Sequence, residues 1–151
     1  MYSADTKSDF STTGDPKKLE TYLPQIEAGY QALLGLDRDW EAKTKDFDGD
    51  VVRRVLGTVG VKSPLFNIRK PLLKSWQIVA DTSTDDELIE RLETEWNDVI
   101  NGISSIDFQL YSASFTELTE SKMSLVKQGR EALKDTIAVY ENLLKDLRSV
   151  V

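Results

Sequence analysis

The sequence predicts an all-α protein, folded as an antiparallel up-down-up-down four-helix bundle whose second helix is broken near Gly57–Pro64. Three observations predict it. Apolar residues recur at spacings of three and four along four segments, the signature of amphipathic helices. Capping residues stand at the joints between those segments. Only four prolines and eight glycines occur in 151 residues, and Pro16, Pro64 and Pro71 lie near expected helix starts.

The elements follow in order. Residues 1–14 read as a disordered polar tail, and 15–151 as the bundle. Asp15-Pro16 reads as a cap and first turn for helix 1, whose seam is Leu19, Leu23, Ile26, Tyr30, Leu33 and Trp40. Pro24 falls inside that seam and predicts a kink. Asp37 takes a seam position, and a slight rotation toward Leu34 or Leu36 is expected there. Asp46-Phe47-Asp48-Gly49-Asp50 reads as a turn, with Asp50 capping a short helix from Val51 to about Thr58. After Gly57, Gly60 and Ser63-Pro64, the seam Leu65, Ile68, Leu72, Trp76, Val79 makes the longer piece of helix 2, with Pro71 bending it. Thr84 and Glu87 read as a capping box opening helix 3, with seam Leu88, Leu92, Trp96, Val99, Ile103, Ile106, Leu110. Ser114 and Glu117 read as a second box opening helix 4, with seam Met123, Val126, Leu133, Ile137, Tyr140, Leu144, Leu147, Val151. Arg130 interrupts that seam beside Gly129, as a gap or a snorkelling side chain. Helices 1, 3 and 4 are each expected to run roughly 28–34 residues, about 40–50 Å. Short links between such rods force antiparallel neighbours.

Composition narrows the function. There is no cysteine and no histidine, which removes disulfides, thiolate metal sites, the usual general base and the usual pH switch. No apolar run reaches the length of a membrane span, and residues 1–15 lack an apolar leader core. The net charge of −7 argues against nucleic acid as a partner. Its distribution is lopsided. Residues 51–80 hold Arg53, Arg54, Lys62, Arg69, Lys70 and Lys74 and no acid, whereas 81–120 hold eleven acids and one base, Arg91. Such asymmetry orients a protein on a charged partner. Pairing of the two stretches within the molecule is the competing account.

Other candidate chemistry is thin. Asp46, Asp48 and Asp50 alternate as in a calcium loop, but the glycine precedes the third acid and the distal glutamate is missing, so a helix-capping turn is expected. A di-metal bundle needs Glu-x-x-His pairs, which a chain without histidine lacks. Glu90, Glu93, Glu95 and Asp98 mostly fall off the helix 3 seam and read as a solvated face. Gly57-Thr58-Val59-Gly60 lacks the strand and lysine of a phosphate loop. No nucleophile is paired with an activating base. No cofactor and no catalytic activity are expected.

The segment Arg53-Arg54-Val55-Leu56-Gly57-Thr58-Val59-Gly60, followed by Ser63-Pro64-Leu65, resembles the PsbQ-like family of extrinsic photosystem II proteins of plants and algae, and within it the diatom type. The resemblance implies a lumenal four-helix bundle that docks on photosystem II, shields its manganese–calcium cluster and helps retain calcium and chloride. It implies a processed chloroplast protein, peripheral on the thylakoid membrane and monomeric when free. Arg53, Arg54 and the Gly57–Leu65 turn match the motif. Lys62, within that turn, is counted with them as a docking residue, and Arg69, Lys70 and Lys74 join on the charge map. Some bacterial relatives bind a metal through histidine, and that role has no counterpart in a chain without histidine. The rivals are a PsbQ-like subunit of another thylakoid complex and a lipid-surface helical bundle, although the apolar seams are narrow for lipid.

Overall fold

The computed structural model describes residues 14–45 and 49–151. Six α-helices follow one another among the described residues: α1 Leu23–Arg38, α2 Trp40–Thr44, α3 Gly49–Leu56, α4 Arg69–Thr82, α5 Asp86–Ser114 and α6 Thr119–Arg148. No strand occurs among them. The expected tail, 1–14, lies outside the described residues except for Gly14.

The long pair α5 and α6 is the frame. The whole expected α5 seam, Leu88 through Leu110, is buried. Arg91 meets Asp146, Gly102 lies against Thr136, and Leu110 lies against Gly129. Rising numbers on one helix meet falling numbers on the other, so the two run antiparallel. The same test gives an antiparallel α1 and α6, through Ile26 with Tyr140 and Asp37 with Arg130. It gives an antiparallel α4 and α5, through Arg69 with Trp96 and Trp76 with Ile89. Between these helices one core collects Ile26, Leu33, Leu36, Val52, Leu56, Leu72, Leu92, Ile106, Leu133 and Tyr140, among others. Each fully buried side chain of this kind contributes about 1.5–3 kcal/mol by leaving water.

Several joints differ from expectation. The first rod is shorter: a turn and a 3-10 turn at Leu19–Thr21 precede α1, and Asp39 separates α1 from α2. Asp15 does cap locally, accepting from the Lys17 N–H, but it caps that turn and not the helix. Pro24 does not kink the helix; it sits in the first turn of α1, where its missing N–H costs nothing. Ser63 caps a turn instead of opening a helix, donating to the Val55 carbonyl and accepting from Leu65 N–H, and α4 begins only at Arg69. The cap of α5 is Asp85, one residue beyond Thr84, and it accepts from Leu88 N–H at 3.1 Å. Ser114 opens nothing: it ends α5, its hydroxyl bonded back to the Leu110 carbonyl, and α6 starts at Thr119 without a side-chain cap. Met123 on α6 and Val151 beyond its end are exposed, and Gly129 takes the core position that Arg130 leaves. Arg130 reaches back to Asp37 at 3.3 Å, so the two charges that interrupted their seams meet each other.

The expected break near Gly57–Pro64 falls in the connection between α3 and α4. Gly57 ends α3 with φ +78, and its missing side chain admits the backbone of Leu65 and Phe66. Gln25 donates to the Pro64 carbonyl and pins this connection to α1.

Candidate docking surface

The six basic residues of 51–80 lie on α3, the connection and α4, one flank of the frame. On α3, core positions Gly49, Val52 and Leu56 face inward. Arg53 therefore turns sideways toward α5. It meets Asp107 at 2.6 Å and Asp50 at 3.3 Å, and its guanidinium stacks over the Tyr111 ring at 4.9 Å. Only 20% of its side chain is exposed. The hydrogen bond from Arg53 to Asp107 raises the guanidinium pKa further, against a smaller opposing effect of burial. Arg53 is thus a structural ion pair that ties α3 to α5, joined by the Thr58 hydroxyl on the same Asp107 oxygen.

The other five stand apart from it. Arg54, Lys62, Arg69, Lys70 and Lys74 are all exposed, and among the described residues no carboxylate lies within ion-pair distance of any of them. Arg69 turns toward α5, its guanidinium 5.5 Å from the centre of the Trp96 ring. Lys74 turns the other way, into a shallow cleft of about 370 Å³ shared with Lys17, Gln77 and Asp81. The cations therefore form a band around the flank, not one compact patch. Adjacency of α4 and α5 does not cancel the band, because the acids Asp86, Glu87, Glu90 and Glu93 face solvent on α5.

One acid of α5 breaks the expected pattern. Glu95, read as solvated, is only 9% exposed. It shares a hydrogen bond with Asp146, which Arg91 grips with two bonds of 2.8 and 3.1 Å. Burial, then the neighbouring Asp146, pushes the Glu95 carboxyl up to about 8. Burial opposes ionisation of Asp146 as well, but hydrogen bonds from Arg91 and Glu95 overcome it and hold that carboxyl below its usual value. The arrangement is a carboxylic acid, a carboxylate and a guanidinium in a row across the α5–α6 contact. Glu95 Oε1 has no hydrogen-bond partner among the described residues. Position 95 flanks the seam beside Trp96, which is the one sequence signal of its burial; Asp146 is too distant in the chain to be read as its partner.

Asp46 and Asp48, weighed above as cation ligands, lie outside the described residues, and Asp50 is the second residue of α3. Among the described residues, no three carboxylates gather around one point as metal ligands, and no helix is long and apolar enough to cross a membrane. No protein-family model, curated protein or solved structure matches the chain.

Proposed function

We propose that this chain is a non-catalytic extrinsic subunit, a rigid helical body that docks through its cationic α3–α4 flank on an acidic receptor. The observation that carries this reading is the band Arg54, Lys62, Arg69, Lys70 and Lys74, exposed and without an ion-pair partner among the described residues, while acids abound elsewhere in the same chain. Folding does not require such a band, since exposed pairs contribute only about 0–1 kcal/mol each. Its use is in steering and orienting association, which acts over roughly 8–10 Å at physiological salt. We take the receptor to be the lumenal face of photosystem II, where the subunit stabilises the manganese–calcium cluster and its calcium and chloride. This rests on the likeness of residues 53–65 to PsbQ-like proteins. On this reading the protein works in the thylakoid lumen, peripheral on the membrane and monomeric when free. The helix registers support an up-down-up-down bundle in which α3 and α4 together form the second rod.

The test is a wash and reconstitution on oxygen-evolving membranes. The protein leaves in high salt and rebinds in low salt with recovery of oxygen release. A variant carrying Arg54→Glu, Arg69→Glu, Lys70→Glu and Lys74→Glu fails to rebind while keeping its helical spectrum. Arg53 is left intact because its loss strands Asp107. Normal rebinding by the variant, or wild-type binding to a different thylakoid complex alone, sinks this reading.

A further inference from the structure

The end of the bundle where α6 stops is held differently from its middle. In the middle, α5 and α6 meet through Gly102 against Thr136 and Leu110 against Gly129, none of which ionises. At the end, the last turns of α6 bury Leu143, Leu144 and Leu147, and three polar ties join these turns to their neighbours. Arg148 meets Glu27 of α1 at 3.3 Å, and Asp146 meets Arg91 of α5 at 2.8 Å. In both pairs the arginine is half exposed, and exposed pairs hold weakly. The third tie, Glu95 to Asp146, is the innermost, since Glu95 is buried.

That innermost tie needs a proton. A carboxylate only accepts, so two carboxyl groups share a hydrogen bond only while one of them is protonated. Asp146 is the anion, because Arg91 donates to both of its oxygens. Glu95 is therefore the donor. The charged groups acting on Glu95 are Asp146 from α6, and Arg91 and Asp98 from α5 itself. Exposed Lys145 acts on Asp146. Arg91 is the cation among the groups acting on Glu95, and its Nε and Nη2 are already committed to Asp146. No other donor among the described residues reaches buried Glu95 Oε1. Loss of the proton thus sets two carboxylates against each other, with no donor for the inner one. Outward movement of the α6 end relieves this by admitting water to Glu95, against the burial of the three leucines.

We propose that Glu95 and Asp146 form a proton-operated latch on the end of α6, which holds residues 143–148 against α5 while the proton is shared and lets them open, with the middle of the bundle closed, once it is lost. This device is separate from the cationic flank and does not depend on the receptor's identity. Its direction follows from linkage. Closed, Glu95 keeps its proton up to about 8, whereas an ordinary carboxyl releases it near 4.5. Between those values opening releases a proton. Opening is therefore rarest in acid, grows roughly tenfold per pH unit as pH rises toward 8, and levels off above it.

The chain has no cysteine, so a single introduced one reports its own exposure. Leu147→Cys at the latch end and Leu133→Cys in the middle of α6, both at buried positions, are reacted with iodoacetamide across the pH range. Dividing each rate by that of the same variant unfolded in urea at the same pH removes the effect of thiol ionisation. The expected ratio at position 147 rises roughly tenfold per pH unit up to about 8 and then flattens. At position 133 the ratio stays at least roughly tenfold lower throughout, because the middle opens only with the whole bundle. Adding Glu95→Gln, which is neutral at every pH, flattens the profile at 147. Leu143→Cys repeats the measurement if Leu147→Cys loses its helical spectrum. Three results overturn the proposal: a flat ratio at 147, the wild-type slope retained with Glu95→Gln, or equal ratios at 147 and 133.

Discussion

Glu95 and Asp146 show how one proton is built into the contact between α5 and α6. Glu95 holds its proton up to about 8 when folded, against an ordinary carboxylate value of 4.5. Between those values the folded chain keeps a proton that the unfolded chain has released. Stability from this group is therefore fullest in acid and falls as pH rises toward 8. Glu95→Gln keeps a neutral donor toward Asp146, and its unfolding midpoint in denaturant is expected to vary less than wild type between pH 5 and 8. An unchanged pH slope counts against the shared proton. A second residue-scale test concerns Tyr140, whose buried hydroxyl donates to the Ile26 carbonyl at 2.5 Å. A methyl group on Gly29 would meet that hydroxyl at 2.5 Å. Gly29→Ala is expected to cost about 1–3 kcal/mol by overpacking, and less in a Tyr140→Phe background, where the clashing oxygen is gone. Additive losses in the double-mutant cycle contradict this contact.

At the scale of the element, the break between α3 and α4 tests how these two helices are joined. Gly57 and Gly60 both have positive φ, but only Gly57 is crowded by the Leu65–Phe66 backbone. Gly60→Ala is expected to cost about 1–2 kcal/mol for the left-handed conformation alone. Gly57→Ala is expected to cost more, with a visibly lower melting temperature, because its added carbon has no room. Equal losses mean that the close crossing does not form. This break was legible in the sequence because glycine and proline mark it directly. The α5 seam was legible too, since seven apolar residues at regular spacing leave one way to face a core. The joints were less so. Thr84 and Asp85 are adjacent competing caps, and spacing alone does not choose between them. Ser114–Glu117 matches a capping pattern in composition, yet the Ser114 hydroxyl is satisfied by the turn before it. Pro24 reads as a kink only if the helix is assumed to begin at Pro16. Glu95 was missed because its partner is remote in the chain. Arg53 was grouped with its neighbours because nothing local reveals Asp107 across the helix interface.

Across the whole molecule, ion pairs tie the helices together at Arg53–Asp107, Arg91–Asp146 and Arg130–Asp37, while the other cations of 51–80 meet no carboxylate among the described residues. An acidic chain with a pI near 4.7 keeps five cations exposed along α3, the connection and α4, and the α5 acids Asp86, Glu87, Glu90 and Glu93 face solvent. The fold secures the flank internally at Arg53 and leaves the rest of it outward. On this account the band acts as a steering surface. Raising ionic strength weakens docking chiefly by slowing association, because screened charges lose their reach. The most direct measurement is the rate of rebinding to washed oxygen-evolving membranes as a function of salt, for wild type beside the variant with Arg54, Arg69, Lys70 and Lys74 changed to Glu. The account predicts a steep fall with salt for wild type, and slow, weak rebinding by the variant even at low salt. Matching rates and matching salt slopes for the two proteins contradict it.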